Sequence, residues 1–314
     1  MIPFEYRTPK SLKEVHATLR EFGGDAKLIA GGTALVIMMK QRLVRPSCLV
    51  SLGSVRGLNG IEVKNGGIAI GGLATHRAVE TSPLLRRRLP MLADTYHHVA
   101  TLRVRNMATV GGGLAHADPN QDPPPSLIAL GASVKAISAS GTRVIPLDEF
   151  FKDYYETVLN PDEIITEVMV PKLPPNTGAA YIKFLPRTAD DYATVSAAAV
   201  LTLDKARKNI ADVRIALGSV GVTPIRARAA EDLLRGQPLK TEAFTEAGEK
   251  AKEAVDPVSD FRGSAAYKKD MAAVFVRRAL EKALADIRQQ ARAKAAPSPK
   301  PAKKKAVKKK GKRR

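Results

Sequence analysis

Three consecutive glycines at residues 111–113 constrain the fold of this chain more than any other feature of its sequence. Glycine loses more backbone entropy on folding than any other residue, so a mere connector explains such a run poorly. Residues 109–113 are therefore predicted to form a glycine-rich loop that brings a backbone close to another group. The loop does not match the G-x-G-x-x-G pattern of a nicotinamide-binding Rossmann turn.

A second glycine-rich segment lies near the N-terminus. A short apolar strand, predicted over residues 27–30, meets a helical run at 34–40 through Gly31, Gly32 and Thr33. Glycine lets a backbone approach a ligand without a Cβ atom in the way, and a helix start offers free N–H groups to an anion. The segment is a candidate phosphate-binding turn, although on its own it also fits an ordinary strand-to-helix turn.

The periodicity of apolar residues indicates an α+β protein. Short strands and helices are predicted in residues 1–174, including a hairpin with a turn at Asn65 and Gly66. A proline-rich linker at about 173–178 would separate this domain from a second one over residues 178–290. There, predicted strands precede predicted helices, which favours α+β over a doubly wound parallel sheet. These strands are predicted at 179–186, 193–203 and 210–219, and the helices at 225–234, 241–254 and 264–289.

Positive charge is concentrated at the C-terminus. The chain carries a net charge of +20, and residues 291–314 hold 12 Lys and Arg without a single acid. Outside that segment there are 39 basic and 31 acidic residues, a net charge of +8. The tail is predicted to be disordered and solvated. It could attract a polyanion by counterion release, or it could be a charged extension without function.

The composition also excludes several classes of protein. No apolar run reaches the roughly 20 residues of a membrane span, and the first residues lack the features of a signal peptide, so a cytoplasmic protein is expected. The single cysteine, Cys48, cannot hold an iron–sulfur cluster by itself, and it is predicted to be a buried apolar residue in a strand. The five histidines form no metal-binding pattern, so no metal site is predicted. The chain has no G-x-S-x-G motif of a hydrolase, and no catalytic residue is predicted.

Several motifs occur in the order found in one known family. The sequence resembles the FAD-binding medium subunits of the bacterial molybdenum hydroxylases, the family of carbon monoxide dehydrogenase and xanthine dehydrogenase. The resemblance runs from about residue 3 to residue 287. The motifs that carry it are Ala-Gly-Gly-Thr at 30–33, Ile-Gly-Gly-Leu-Ala-Thr-His at 70–76, Arg-Asn-Met-Ala-Thr-Val-Gly-Gly at 105–112, Ala-His-Ala-Asp-Pro at 115–119, Arg187 with Asp-Tyr-Ala at 191–193, and residues 217–227 and 264–267.

The resemblance implies both the fold and the site. Residues 1–174 would form a two-part FAD-binding domain of the vanillyl-alcohol-oxidase (PCMH) type, followed by a small antiparallel sheet with helices. Asp122, Ile165, Lys183 and Tyr192 would lie near the FAD. The backbone of the two glycine-rich segments would hold the diphosphate, through Ala30, Gly31, Gly32, Thr33, Ala34, Leu35, Thr109, Val110, Gly111, Gly112 and Gly113.

Three of the four side chains outside the glycine-rich segments also have an ordinary structural interpretation. Asp122 could be a loop residue before three prolines, Lys183 a solvated strand lysine, and Tyr192 a half-buried strand aromatic. Two positions depart from the family pattern, because many relatives have Asn where this chain has Gly113, and Asp or Ser where it has Ala34. The first glycine-rich segment contains no histidine, so a covalent histidyl–flavin bond there is not expected.

The resemblance further implies a role in electron transfer. A large subunit would carry the molybdenum cofactor and a small subunit would carry [2Fe–2S] clusters, in a dimer of heterotrimers. This chain would take electrons from the clusters and pass them from FAD to a terminal acceptor. The alternatives are a stand-alone FAD-dependent oxidase or reductase, and a nucleic-acid-binding protein acting through its basic tail. Against the latter, the body of the chain has no recognisable nucleic-acid module.

Overall fold

The described chain folds around three larger β-sheets, each of which contributes to an apolar core, and a two-stranded hairpin forms a fourth, small sheet. The computed structural model describes residues 2–186 and 191–295. Arg187 of the family motif and residues 296–314 of the predicted tail therefore lie outside the described residues. The mixture of sheets and helices confirms the predicted α+β class.

The first part of the chain is a three-stranded parallel sheet with two helices. Its strands lie in the order β1–β3–β2, and Cys48 is fully buried in the central strand as predicted. The first helix begins after Ser11, whose hydroxyl accepts the amide hydrogen of Glu14 at 3.3 Å. The elements are β1 (Glu5–Arg7), α1 (Leu12–Phe22), β2 (Ala26–Ile29), α2 (Leu35–Lys40) and β3 (Cys48–Ser51).

The second part is built on a five-stranded antiparallel sheet in the order β4–β5–β10–β6–β7. Asn65 and Gly66 have positive φ angles of 50° and 79°, which confirms the predicted hairpin turn. Its elements are β4 (Ile61–Lys64), β5 (Gly67–Gly71), α3 (His76–Thr81), α4 (Pro83–Arg88), α5 (Pro90–His97), α6 (Leu102–Met107), α7 (Val110–His116), α8 (Pro123–Ala129), β6 (Ser133–Ile137), β7 (Thr142–Pro146), the hairpin β8 (Phe151–Asp153) and β9 (Glu156–Thr157), and β10 (Ile164–Val170).

One prediction for this part was wrong. The three glycines do not form a loop, because they lie in the first turn of α7, where the hydroxyl of Thr109 accepts the amide hydrogen of Gly112 at 3.2 Å. Helix α8 begins with three consecutive prolines at residues 123–125. Proline is tolerated in the first turn of a helix, because the amide hydrogen it lacks would have no partner within the helix.

The third part is a four-stranded antiparallel sheet covered by helices on one face. Its three long strands fall where they were predicted. The last helix continues five residues beyond the predicted domain end at 290, and the residues there include alanine and arginine, which favour helix. The elements are β11 (Thr177–Phe184), β12 (Val195–Leu203), β13 (Ile210–Gly218), β14 (Ile225–Arg226), α9 (Arg228–Leu234), α10 (Glu242–Ala251) and α11 (Ala265–Ala295).

Strand β12 is buried on both faces and joins the two domains. All nine of its residues are buried. Ala197 and Ala199 belong to the core beneath the helices of the third part, whereas Ala198 and Val200 belong to the core of the five-stranded sheet. An ion pair between Asp148 and Arg226, 2.9 Å long, crosses the same boundary. The second and third parts are therefore packed as one body.

Among the described helices, none combines the length and the apolar character that crossing a membrane requires.

At Gly178 the backbone of β11 lies close to α11, and we expect this position to tolerate no side chain. A Cβ atom at Gly178 would collide with the carbonyl oxygen of Ala283. Gly178→Ala should lower the free energy of unfolding by about 2 to 3 kcal/mol, since overpacking of this kind displaces backbone. Guanidinium unfolding measures the change. Gly24→Ala is the matched control, because no atom lies within 4 Å of its added Cβ. Equal midpoints for the two variants would contradict the prediction.

Candidate functional site

A cavity of about 710 Å³ lies where the three parts of the chain meet. Fourteen of the fifteen residues predicted to bind the cofactor line it. The exception is Val110, whose side chain is 1% exposed and belongs to the core of the five-stranded sheet. The structure therefore brings together residues that lie as far apart in the sequence as Ala30 and Tyr192.

The first glycine-rich segment presents unused hydrogen-bond donors. Within the described chain, the amides of Gly31, Gly32, Thr33 and Ala34 have no acceptor in another residue. Gly32 has a φ of 68°, a conformation that favours glycine. A Cβ atom at Gly31 would collide with the carbonyl oxygen of Met107. These glycines keep the turn tight against α6 and leave donors that an anionic oxygen could accept.

The second glycine-rich segment differs, because the amides of its residues 110–113 are already bonded within the chain. Gly111 packs so closely on the backbone that an added Cβ atom would lie 2.8 Å from the carbonyl oxygen of Gly72. The glycines of this segment therefore line the cavity with backbone that carries no side chains, and they offer no free amide donors. Its bonds run from Val110 N to Ala74 O at 2.9 Å, Gly111 N to Gly72 O at 2.8 Å, Gly112 N to Thr109 Oγ1 at 3.2 Å, and Gly113 N to Thr109 O at 2.9 Å.

At Gly113, where the resemblance led us to expect asparagine, the side chain of another residue occupies the space. The amide nitrogen of Gln121 donates to the carbonyl oxygen of Gly113 at 2.9 Å. The amide oxygen of Gln121 lies 3.1 Å from the position of a Cβ atom at residue 113. Gln121 therefore supplies a side-chain amide at this point of the cavity wall, and sequence reasoning missed it.

Asp122 and Lys183 form a buried ion pair at the boundary between the domains. The distance from Lys183 Nζ to Asp122 Oδ2 is 2.9 Å, and the two side chains are 4% and 5% exposed. Tyr181 donates its hydroxyl to Asp122 Oδ1 at 2.6 Å, and Lys183 also donates to the carbonyl oxygen of His98 at 2.9 Å. The interpretations of Lys183 as a solvated lysine and Asp122 as a simple loop residue are wrong.

The electrostatics of this pair depend on its burial. Burial raises the pKa of Asp122 above its ordinary value, while Lys183 and the Tyr181 hydroxyl oppose that rise. Burial also raises the pKa of Tyr181, and the neighbouring Asp122 adds to the effect. Tyr181 was not singled out from the sequence. It lies two residues before Lys183 on β11, so the alternation of side chains along a strand points both to the same face.

Tyr192 lies at the edge of the cavity with 42% of its surface exposed. Its hydroxyl donates to Asp118 Oδ2 at 2.7 Å. The guanidinium carbon of Arg262 lies 5.6 Å from the centre of the Tyr192 ring, and Arg262 also bonds Asp191 at 2.9 Å. Burial, followed by the hydrogen bond to Asp118, raises the pKa of Tyr192, so its phenol remains protonated at neutral pH.

A buried charge network holds another part of the wall. Glu80 is 3% exposed and pairs with Arg105, with 3.0 Å between Oε2 and Nε. Arg105 Nη1 donates to the carbonyl oxygens of Val99 at 2.8 Å and Ala100 at 2.9 Å. Both of these residues line the cavity. Arg105 was recognised only as part of a motif, whereas the structure shows that it fixes the backbone beside the cavity.

His76 and His116 also line the cavity. Burial lowers the pKa of His76 to about 4, so its ring is neutral at physiological pH. The ring packs edge-on against Tyr96, with 4.9 Å between centroids. In the part of the chain that the structure describes, no three His, Cys, Asp or Glu side chains form a group that could hold a metal ion.

The apolar part of the wall comes from side chains of both sheets of the N-terminal domain. Ile165, predicted to be an apolar neighbour of the flavin, is 6% exposed and lies beside a register shift in β10. An apolar cavity with a few convergent polar groups is typical of a cofactor site. Further apolar residues of the lining include Leu28, Leu52, Leu73, Leu159 and Ile164.

Known proteins resemble this chain along nearly its whole length. A family profile described as the FAD binding domain in molybdopterin dehydrogenase matches residues 2–173. A second profile, the CO dehydrogenase flavoprotein C-terminal domain, matches residues 180–283. The carbon monoxide dehydrogenase medium chain of Hydrogenophaga pseudoflava is 38% identical over 287 residues, which cover 91% of this chain and 99% of that protein. Subunit alpha of the 6-hydroxypseudooxynicotine dehydrogenase complex of Paenarthrobacter nicotinovorans is 38% identical, covering 90% and 94%.

Solved structures agree with the sequence comparison. Carbon monoxide dehydrogenase from Hydrogenophaga pseudoflava aligns with a TM-score of 0.87 at 39% identity, covering 91% of this chain and 99% of that chain. Quinoline 2-oxidoreductase from Pseudomonas putida 86 aligns with a TM-score of 0.83 at 35% identity, covering 90% and 98%. These findings confirm the resemblance inferred from the motifs. The chain belongs to the family of FAD-binding medium subunits of the molybdenum hydroxylases.

Proposed function

We propose that this chain is the electron-transfer subunit of a multi-subunit molybdenum hydroxylase. It would take electrons from iron–sulfur clusters of a partner subunit and pass them from FAD to a terminal acceptor. The observation that carries the proposal is the cavity of about 710 Å³, which collects fourteen predicted cofactor residues at the meeting point of the two domains. The match to relatives over nine-tenths of the chain supports it.

The residues of the cavity fit a dinucleotide cofactor. The unbonded amides of Gly31 to Ala34 could hold the oxygens of a diphosphate. Apolar side chains such as Ile165 could cover a flat ring system. Asp122 has two oxygens and Lys183 has a charged amine, so both could add polar contacts from a buried position.

FAD, when bound, supplies the redox chemistry, and the protein supplies binding, orientation and electrostatics. Gly31 and Gly32 keep the turn close to α6 so that the amide donors stay aligned. The Asp122–Lys183 pair presents a fixed charge distribution at the boundary between the domains. Neutral His76 and protonated Tyr192 add no net charge. No side chain of the chain is required as a general acid or base.

The partners follow from what this chain lacks. Its single cysteine is buried in β3, so a [2Fe–2S] cluster has to reside on another subunit. We propose a small iron–sulfur subunit, a large subunit with the molybdenum cofactor, and assembly as a dimer of heterotrimers in the cytoplasm. The relatives named medium chain and complex subunit support an assembly of this kind.

The first prediction is that FAD binds without a covalent bond, because the first glycine-rich segment contains no histidine. Acid precipitation of the purified holoprotein should release all of the flavin into the supernatant, where absorbance at the flavin band measures it. The same protein, carried through a neutral buffer instead, should keep its flavin and serves as the control. Yellow colour that remains in the acid pellet would mean that another cavity residue is linked to the cofactor.

The second prediction concerns the buried ion pair. Lys183→Met would leave Asp122 buried without its countercharge, and breaking such a pair destabilises a protein by about 3 to 5 kcal/mol. Burial already raises the pKa of Asp122, and the variant loses the charge that opposes the rise. In the variant the pKa of Asp122 in the folded state therefore lies above its value in the unfolded chain. The loss in the free energy of unfolding should be small at about pH 4 and grow as the pH rises through the folded-state pKa.

Urea unfolding of wild type and variant across that pH range measures the effect. The double variant Asp122→Asn with Lys183→Met is the control, because it has no carboxylate to leave unpaired and should recover much of the stability. A loss that does not depend on pH, or that the double variant does not reduce, would contradict this account of the pair.

The third prediction separates the basic tail from the flavoprotein body. Truncation after Gln290 removes 12 positive charges, while the last buried side chain of α11, Ile287, remains. FAD content and thermal stability should therefore be unchanged, and elution from heparin should occur at lower salt. A full-length variant with glutamine at those 12 positions should elute like the truncated chain. Unchanged elution would assign the polyanion-binding surface to the body.

A further inference from the structure

We propose that Asp118 is a positioning residue that holds Tyr192 at the cofactor cavity. The inference rests on the proposed function, because it assumes that the cavity binds FAD. Asp118 belongs to the segment between α7 and α8 in the FAD-binding domain, whereas Tyr192 precedes β12 in the C-terminal domain. A single hydrogen bond of 2.7 Å between them therefore crosses the domain boundary at the edge of the cavity.

The carboxylate of Asp118 is also held by a hydrogen bond from its own segment, in addition to the one from Tyr192. Asp118 is 4% exposed, and its Oδ1 accepts the amide hydrogen of Asn120 at 2.9 Å. Its other oxygen, Oδ2, accepts the Tyr192 hydroxyl. A buried carboxylate needs hydrogen-bond donors to offset its loss of hydration. The phenol is one of the two donors, so the bond stabilises Asp118 as well as orienting Tyr192.

The tyrosine ring is held from a second direction. Arg262, in the segment between α10 and α11, lies with its guanidinium carbon 5.6 Å from the ring centre. Arg262 is in turn paired with Asp191 at 2.9 Å. With 42% of its surface exposed, Tyr192 has too little packing around it to fix its rotamer. The hydroxyl tether and the neighbouring cation supply the order that packing does not.

The arrangement defines what Asp118 contributes. It does not need to touch the cofactor, because its effect passes through the hydroxyl of Tyr192. Removing that hydrogen bond should free the ring while leaving its apolar surface in place. The binding of FAD and the spectrum of the bound flavin then report the order of the ring, separately from the stability that buried Asp118 loses with its donor.

The test uses the full chain reconstituted with FAD. Tyr192→Phe deletes only the hydroxyl, and Asp118→Ala deletes the acceptor. Each should raise the Kd for FAD about 3- to 10-fold, because the freed ring must be immobilised when FAD binds, and ordering one side chain on binding has a cost of that size. Each should also produce the same shift in the visible absorption and midpoint potential of the bound flavin. The double variant should be no worse than either single variant, because both remove the same bond.

Two controls separate positioning from general damage. In Asp118→Asn the side-chain amide can donate to the phenol oxygen, so affinity and spectrum should stay near those of wild type. Tyr154→Phe alters an exposed tyrosine outside the cavity lining and should change nothing. Melting temperatures of the FAD-free variants identify any that fail to fold, and Tyr192→Phe keeps the test decisive if Asp118→Ala is one of them.

The outcomes are distinct. A wild-type chain that takes up no FAD contradicts the proposed function. Wild-type uptake with unchanged affinity and spectrum in Tyr192→Phe overturns the positioning role alone. Losses that add fully in the double variant, or an Asp118→Asn variant as impaired as Asp118→Ala, also overturn it, since the two residues would then act separately or through the charge.

Discussion

The burial of β12 on both faces is the constraint on which the rest of the structure depends. Its alternate residues belong to two different cores, so neither domain can bury its apolar surface fully without the other. The strand consists largely of small residues, including three consecutive alanines from Ala197 to Ala199, which lets α11 on one side and α8 on the other pack closely. Fixing the sheet of the C-terminal domain in this way carries Lys183 and Tyr192 to the cavity of the FAD-binding domain.

Glycine shapes the cavity mainly through contacts between backbone segments. At Gly31 and Gly111 an added Cβ atom would meet the carbonyl oxygens of Met107 and Gly72, which belong to the protein itself. The sequence argument ascribed both glycine-rich segments to close approach of a ligand. In the structure the two segments differ. The first, at residues 31–34, keeps free amide donors, whereas the second uses its amides in hydrogen bonds that hold α7 in place. These backbone segments pack tightly behind the cavity wall, which leaves the space inside the cavity free for a cofactor.

Much of the local structure could be predicted, because it depends on residues near one another in the sequence. The capping residue Ser11 and the turn at Asn65 and Gly66 are examples. The helical form of residues 110–116 was missed, because three glycines disfavour a helix and only the surrounding contacts and the Thr109 cap overcome that preference. The site itself depends on long-range contacts, such as the ion pair between residues 61 positions apart. The periodicity of apolar residues does not reveal contacts between distant positions, so the site residues were predicted from the family resemblance instead.

The short segment between α7 and α8 explains why the site and the domain boundary coincide. Its two carboxylates are both buried, and each accepts a hydroxyl from a tyrosine of the C-terminal domain: Asp118 from Tyr192 at 2.7 Å and Asp122 from Tyr181 at 2.6 Å. Buried carboxylates without such donors would be strongly destabilising, so the FAD-binding domain depends on the C-terminal domain for polar as well as apolar reasons. Because Lys183 bonds the same segment, any shift of the C-terminal sheet would move the charged groups of the cavity with it. The position of the second domain therefore determines where the polar groups of the cavity lie.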